Sequence, residues 1–158
     1  MKILKAYCDG SCYNKTKEGG IGIFIPIEDR KVSIGIRNTS SARAEILALI
    51  FTLFELSNTE FHKAFVYTDN QYVVYTIEKG WLDNWIKNRE HNFRKNFDLW
   101  LVVRNFLSVL MDQGKVVILV WVRGHTGQED FNSQCNNVAD RLANYKNDFE
   151  LVLMDKNL

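Results

Sequence analysis

Three strand-like runs fill the first 36 residues, and from there helical and strand-like runs alternate toward the C-terminus. Residues 2–8 form the first run. Ile21-Gly22-Ile23-Phe24-Ile25-Pro26-Ile27 and Lys31-Val32-Ser33-Ile34-Gly35-Ile36 form the next two, joined by the turn-like Glu28-Asp29-Arg30. Pro26 suits a strand end or an edge better than a central ladder. Ile46 to Leu56 is apolar nearly all round, which places that helix in the interior, packed on more than one side. Ser41 reads as its N-cap, with Glu45 one position too far on for a capping box. Lys63–Thr68 reads as a short buried strand, and Asn70–Lys79 as a helix stopped by Gly80. Phe97–Met111 is an amphipathic helix closed by Gln113-Gly114, and Lys115–Val122 is a β-branched run typical of a buried strand. Gly124–Ser133 reads as a polar loop, followed by a helix around Asn136 to Lys146. The tail 148–158 fits no pattern. The order βββ-α-β-α-α-β-α predicts an α/β fold, a mixed five-stranded sheet flanked by helices.

The 158 residues suit a single domain spanning 1–158. The longest uncharged apolar stretch, Ile46–Phe54, falls well short of the ~20 residues a membrane-spanning helix needs. The opening Met1-Lys2-Ile3-Leu4-Lys5 lacks the long hydrophobic segment of a secretory signal. Cys8, Cys12 and Cys135 are odd in number and form no C-x-x-C pair, which argues against a disulfide framework or a structural zinc site. Reduced thiols in a cytoplasmic setting are the simpler account. With a net charge of +1, any polyanion must be held by a local cluster of cations. No exposed apolar helix face suggests an oligomer, so a monomer is expected.

Asp9, Glu45, Asp69 and Asp140 lie at the edges of apolar segments, where a carboxylate is costly unless a cation compensates it. Asp9 and Asp69 each follow an apolar strand, the position where ligands gather in open α/β sheets. If those strands are adjacent and parallel, their backbones lie about 5 Å apart and both side chains reach one ion. Glu45, in the first turn of the buried helix, leans over the same end, and Asp140 closes the site from the last helix. Carboxylates without His or Cys partners favour Mg²⁺ or Mn²⁺, and four of them suit two ions for in-line phosphoryl transfer. Taken singly, each acid also reads as a turn former or a helix-dipole partner. Spacing alone leaves both readings open.

Six strings settle the matter toward chemistry. Tyr7-Cys8-Asp9-Gly10-Ser11-Cys12, Gly19-Gly20-Ile21-Gly22, Arg43-Ala44-Glu45, Tyr67-Thr68-Asp69-Asn70-Gln71-Tyr72-Val73, Arg123-Gly124-His125-Thr126-Gly127 and Asn136-Asn137-Val138-Ala139-Asp140-Arg141-Leu142-Ala143 occur in that order. Together they resemble type 1 ribonuclease H. The resemblance implies Mg²⁺- or Mn²⁺-dependent endonucleolytic hydrolysis of the RNA strand of an RNA–DNA hybrid. It makes Asp9, Glu45, Asp69 and Asp140 the metal-binding carboxylates. His125 becomes the histidine that assists proton transfer or product release, and its place in a polar loop between Gly124 and Gly127 suits that role.

Residues 81–97 resemble the basic protrusion with which members of this family hold hybrid. Lys87, Arg89, Arg94 and Lys95 face a single acid, Glu90, between residues 85 and 97, so cations outnumber acids there by three. These are the expected phosphate contacts. Trp81 and Trp85 are candidates for contact with the sugars, although they also read as helix-packing residues, as Trp100 does. Gly10, Ser11, Cys12 and Gln71, close to the acids, are candidates for sensing the 2′-hydroxyl. Ser41 and Ala42 stand where the family often carries asparagines, and the segment 128–134 is longer than in compact members. Glu129 and Asp130 in that segment add unexplained negative charge. The competing reading is a hybrid- or duplex-binding domain without turnover, which the presence of all four acids and His125 disfavours.

Overall fold

The computed structural model describes residues 1–90, 93–124, 130–144 and 152–154. Three antiparallel strands open the chain: β1 (Ile3–Tyr13), β2 (Glu18–Ile25) and β3 (Arg30–Arg37). Pro26 begins a 3-10 turn, Pro26–Glu28, where its missing N–H costs nothing, and Asp29 leaves that turn in the left-handed region at φ 47°. Helix α1 (Ser41–Ser57) leads to β4 (Lys63–Thr68). Then come α2 (Gln71–Glu78), α3 (Trp81–Lys87), α4 (Phe97–Asp112), β5 (Val116–Trp121), α5 (Phe131–Ala143) and β6 (Val152–Met154).

The strand order is β5-β4-β1-β2-β3-β6, with β4 parallel to both β1 and β5. All five expected strands are present in a mixed sheet. A sixth is added where the tail fitted no pattern: Gly35 to Arg37 pair in parallel with Val152 to Met154. The physical gain is cover for the otherwise open edge of β3. A further departure is α3, which turns part of the aperiodic stretch after Gly80 into a short helix. Gly80 lies at φ 74°, so it ends α2 and starts α3 in a conformation that costs a glycine little.

Helix α1 is buried on most of its circumference because it lies between β1 and β2 on one side and α4 on the other. Leu47, Leu49, Leu53 and Leu56 meet Leu4, Ala6, Ile21 and Ile23 there in the main core. Trp100 of α4 is fully buried in the same core. The opposite sheet face carries α5 over a smaller cluster of Tyr7, Tyr67, Val122, Cys135 and Ala139.

Glycines set how closely both layers approach. A Cβ on Gly10 would stand 2.3 Å from the backbone carbonyl of Ala44 in α1. One on Gly22 would stand 2.0 Å from the Ala139 carbonyl oxygen, and one on Gly20 2.1 Å from that of Ala143. Alternation along the strands thus gives Gly10 to α1 and the Gly20/Gly22 pair to α5.

Candidate active site

Asp9 sits inside a strand rather than at its end. Gly10-Ser11 is turn-like in composition, but β1 continues to Tyr13 and pairs with β2 as far as Tyr13↔Glu18. What ends at this level is the parallel pairing: the last register pair of β1 with β4 is Tyr7↔Tyr67. Asp9 stands two residues further along β1, on the face covered by α5, and Asp69 directly follows the end of β4. The expected adjacency of the two acids therefore exists, with Asp9 framed by an antiparallel partner on its other side.

Glu45 arrives from the opposite face. The α1 N-cap is Ser40, whose side chain accepts from the Arg43 N–H at 3.2 Å, not Ser41. Glu45 consequently falls in the second helical turn, not the first, and is no dipole partner. Its Oε1 accepts from the Gly10 N–H at 2.6 Å. Asn70 holds Glu45 from another side, since its Oδ1 caps α2 by accepting from the Val73 N–H at 3.0 Å while its side chain also hydrogen-bonds Glu45. A strand–Asp–Asn–helix string signals the cap. The bond to Glu45 is a tertiary contact with no local signature.

Ligand oxygens of Asp9, Glu45 and Asp69 all lie within 4.8 Å of one another. Asp140 lies within side-chain hydrogen-bond reach of Asp9 but is not one of the three. Asp9 is 6 % exposed. Burial first, then the neighbouring Glu45 and Asp69, push its carboxyl up to about 11. Burial likewise raises Glu45, opposed by the hydrogen bonds from Asp9 and Gly10. Burial and mutual repulsion make these carboxylates costly, and their all-oxygen donors fit a hard divalent cation.

Asp140 stands in α5, which starts earlier than the helix expected around Asn136. Residues 131–134, expected as loop, are the first turn of α5, and Asp130 is its N-cap, accepting from the Ser133 N–H at 3.0 Å. That bond gives Asp130 a structural purpose and holds its carboxyl below the usual range. His125, Thr126, Gly127, Gln128 and Glu129 lie outside the described residues, so the role expected of His125 remains a reading of the sequence. Gly124 is described, and a Cβ there would stand 2.4 Å from Asp69 Oδ2. In the sequence Gly124 is only a loop residue beside His125, whereas its bareness makes room for the Asp69 carboxylate.

The remaining candidates divide by burial. Trp85 is buried in the main core and stands 4.8 Å from the Arg94 guanidinium, so its packing role is the one its surroundings support. Trp81 is half-buried against the same core and against Tyr72 and Tyr75. Lys87, Arg89 and Lys95 are exposed, and Arg94 also pairs with Glu90 at 3.0 Å. Ser11 Oγ donates to the Ala143 carbonyl at 2.8 Å, and the Cys12 thiol to the Thr39 carbonyl at 3.6 Å. Gln71 opens α2, is exposed, and donates to the Tyr75 hydroxyl at 2.6 Å.

A carboxylate cluster at the point where a sheet's parallel pairing stops has the donor set of a hydrolase assisted by divalent cations. The family model described as RNase H matches residues 1–147, and the chain belongs to the ribonuclease H family. A ribonuclease H from Desulforamulus reducens is 33 % identical over 159 residues, covering 93 % of this chain and 91 % of that protein. The solved LC9-RNase H1, a type 1 RNase H with the type 2 active-site motif, superposes with a TM-score of 0.72. It is 22 % identical and covers 90 % of this chain and 71 % of that one. The foamy viral protease-reverse transcriptase in complex with RNA/DNA hybrid gives 0.70 at 20 % identity, covering 90 % of this chain and 20 % of the other. The chain is an endoribonuclease, and three of the four acids expected to bind metal, Asp9, Glu45 and Asp69, form its carboxylate cluster. Among the described residues, no helix is long and apolar enough to cross a membrane.

Proposed function

We propose that this chain cleaves the RNA strand of RNA–DNA hybrids, as a monomer, with two Mg²⁺ or Mn²⁺ ions held by Asp9, Glu45, Asp69 and Asp140. The observation that carries the reading is the trio of oxygen donors within 4.8 Å of one another in a member of the ribonuclease H family. Bound ions of this kind supply an activated water and charge stabilisation at the leaving oxygen. The chain's own residues do the rest. Gly10 and Asn70 orient Glu45, α5 brings Asp140 onto Asp9, and His125 moves protons or assists product release. Lys87, Arg89, Arg94 and Lys95 hold phosphates and fix the duplex against the site. Gly10, Ser11, Cys12 and Gln71 are the residues that would sense a 2′-hydroxyl, with the half-buried Trp81 shaping the neighbouring groove and Trp85 packing beneath it. The three free cysteines support a reducing compartment such as the cytoplasm.

The test is a hybrid with each strand labelled separately, incubated with Mg²⁺ or Mn²⁺ beside double-stranded RNA and double-stranded DNA. Cleavage confined to the RNA strand of the hybrid is the expected result. Cutting of the DNA strand, or binding without any cutting, would replace this reading.

A further inference from the structure

The two strands that deliver Asp9 and Asp69 each deliver a tyrosine one pleat earlier, on the same face. Tyr7 and Tyr67 are register partners, and their rings stack at 4.8 Å between centroids with planes 13° apart. Tyr7 is fully buried, so its hydroxyl needs a partner. It donates to Asn132 Oδ1 at 2.5 Å. The side chain of the same asparagine also hydrogen-bonds Tyr67. Cys135, one turn further along α5, lies within hydrogen-bond reach of the Tyr7 hydroxyl, and Phe131 meets the Tyr7 ring edge-on at 6.4 Å.

At its other end α5 is held by different hydroxyls. Ser11 Oγ donates to the Ala143 carbonyl at 2.8 Å, and Ser33 Oγ to the Leu142 carbonyl at 2.6 Å. Asp140 lies between these two anchorages. Eight residues separate it from Asn132, about 12 Å along a helix axis. The glycine contacts at Gly20 and Gly22 set how close α5 lies to the sheet. They are backbone contacts and leave its rotation and axial position to the side-chain bonds.

We infer that Tyr7, Tyr67 and Asn132 form a positioning clamp that sets the rotation and axial placement of α5, and through it the reach of Asp140 toward the metal-binding carboxylates. The inference rests on the proposed metal-dependent reading. The clamp is built from the strands that carry two of the ligands, so any shift of those strand ends moves α5 with them. Asp140 thereby keeps its relation to Asp9 although it comes from a separate layer. A misplacement near 1 Å in such a group is enough to weaken function severely.

Mn²⁺ binding to the full chain, measured by titration calorimetry without substrate, tests the clamp. Tyr7→Phe keeps the stacked ring and removes only the hydroxyl. It is expected to weaken Mn²⁺ binding threefold to tenfold, with KM for hybrid unchanged and far-ultraviolet circular dichroism of wild-type shape. Asn132→Ala, in the first turn of α5, is expected to give the same shift and serves should Tyr7→Phe fold poorly. In an Asp140→Asn background neither change is expected to weaken Mn²⁺ binding further. Wild-type Mn²⁺ affinity in both single variants would overturn the clamp alone. An equal weakening in the Asp140→Asn background would overturn it too, since the effect would then run through Asp9 or Asp69. Failure of the wild-type chain to bind Mn²⁺ would instead remove the metal-dependent reading, and the clamp with it.

Discussion

Glu45 reaches Asp9 across β1 only because Gly10 between them has no side chain. The Gly10 N–H donates to Glu45 Oε1 at 2.6 Å, and any Cβ on Gly10 would stand 2.3 Å from the Ala44 carbonyl. The obstructing atoms are helix backbone, which cannot rotate aside. Gly10→Ala is therefore expected to push the start of α1 off the sheet, destabilising the protein by about 1–3 kcal/mol. Loss of nuclease activity should exceed the loss of fold, at least a hundredfold at saturating Mg²⁺. A thermal melt and a steady-state assay on one preparation check both. Wild-type kinetics in Gly10→Ala would mean that Glu45 does not act from this position.

Asp9 makes the metal-free protein sensitive to pH. Its carboxyl keeps a proton to about pH 11 in the folded chain, chiefly through burial, whereas an unfolded chain releases it near pH ~4. The stability linked to that proton is fully present below about pH 4 and declines as the pH climbs toward 11. Asp9→Asn removes the charge and keeps the shape. Without metal it is expected to melt about 10 °C or more above wild type at pH ~8 and level with it at pH ~4. Turnover should be abolished, and Mg²⁺ should raise the melting temperature of wild type but hardly that of the variant. Melting curves at both pH values, with and without Mg²⁺, measure all of this.

Lys87 and Arg89 are exposed at the end of α3, with Arg89 in the left-handed region at φ 55°. Neither contributes to the core, so replacing both with alanine should leave the melting temperature within about 2 °C of wild type. KM for hybrid is expected to rise several-fold with kcat little changed. The log–log dependence of hybrid affinity on salt should lose about two units of slope, one for each phosphate contact removed. An unchanged slope would place the hybrid elsewhere on the surface.

Most of the element order and the trio Asp9, Glu45 and Asp69 were legible because both leave local marks: apolar runs of the right period, and charges at their edges. What the sequence hid was decided by tertiary contact. Gly10-Ser11 has turn chemistry, yet the pair stays extended because β2 offers it a ladder as far as Tyr13↔Glu18. Ser40 and Ser41 are indistinguishable as caps by type, and which one serves follows from where the chain leaves β3. The start of α5 was missed because Asp130 and Ser133 suit a polar loop as well as a capped first turn. The segment Val152–Met154 becomes a strand by meeting the edge of β3, a partner more than a hundred residues earlier. Tyr7 reads as core, and nothing near it in the sequence reveals its bond to Asn132.

Gly124 closes the list of positions where a missing side chain shapes the site. A Cβ there would stand 2.4 Å from Asp69 Oδ2 and 3.1 Å from Asp69 Cβ. The nearer atom is the tip of a side chain and can swing away, but the second contact leaves it little choice of direction. Gly124→Ala should therefore be well folded, destabilised by no more than about 1 kcal/mol. The Asp69 carboxylate would be turned from the trio it forms with Asp9 and Glu45. The Mg²⁺ concentration for half-maximal activity is expected to rise about fivefold to twentyfold, with near-normal kcat once Mg²⁺ saturates. A Mg²⁺ titration of hybrid cleavage gives the answer. A wild-type Mg²⁺ requirement would show that Asp69 accommodates the methyl group without leaving its ligand position.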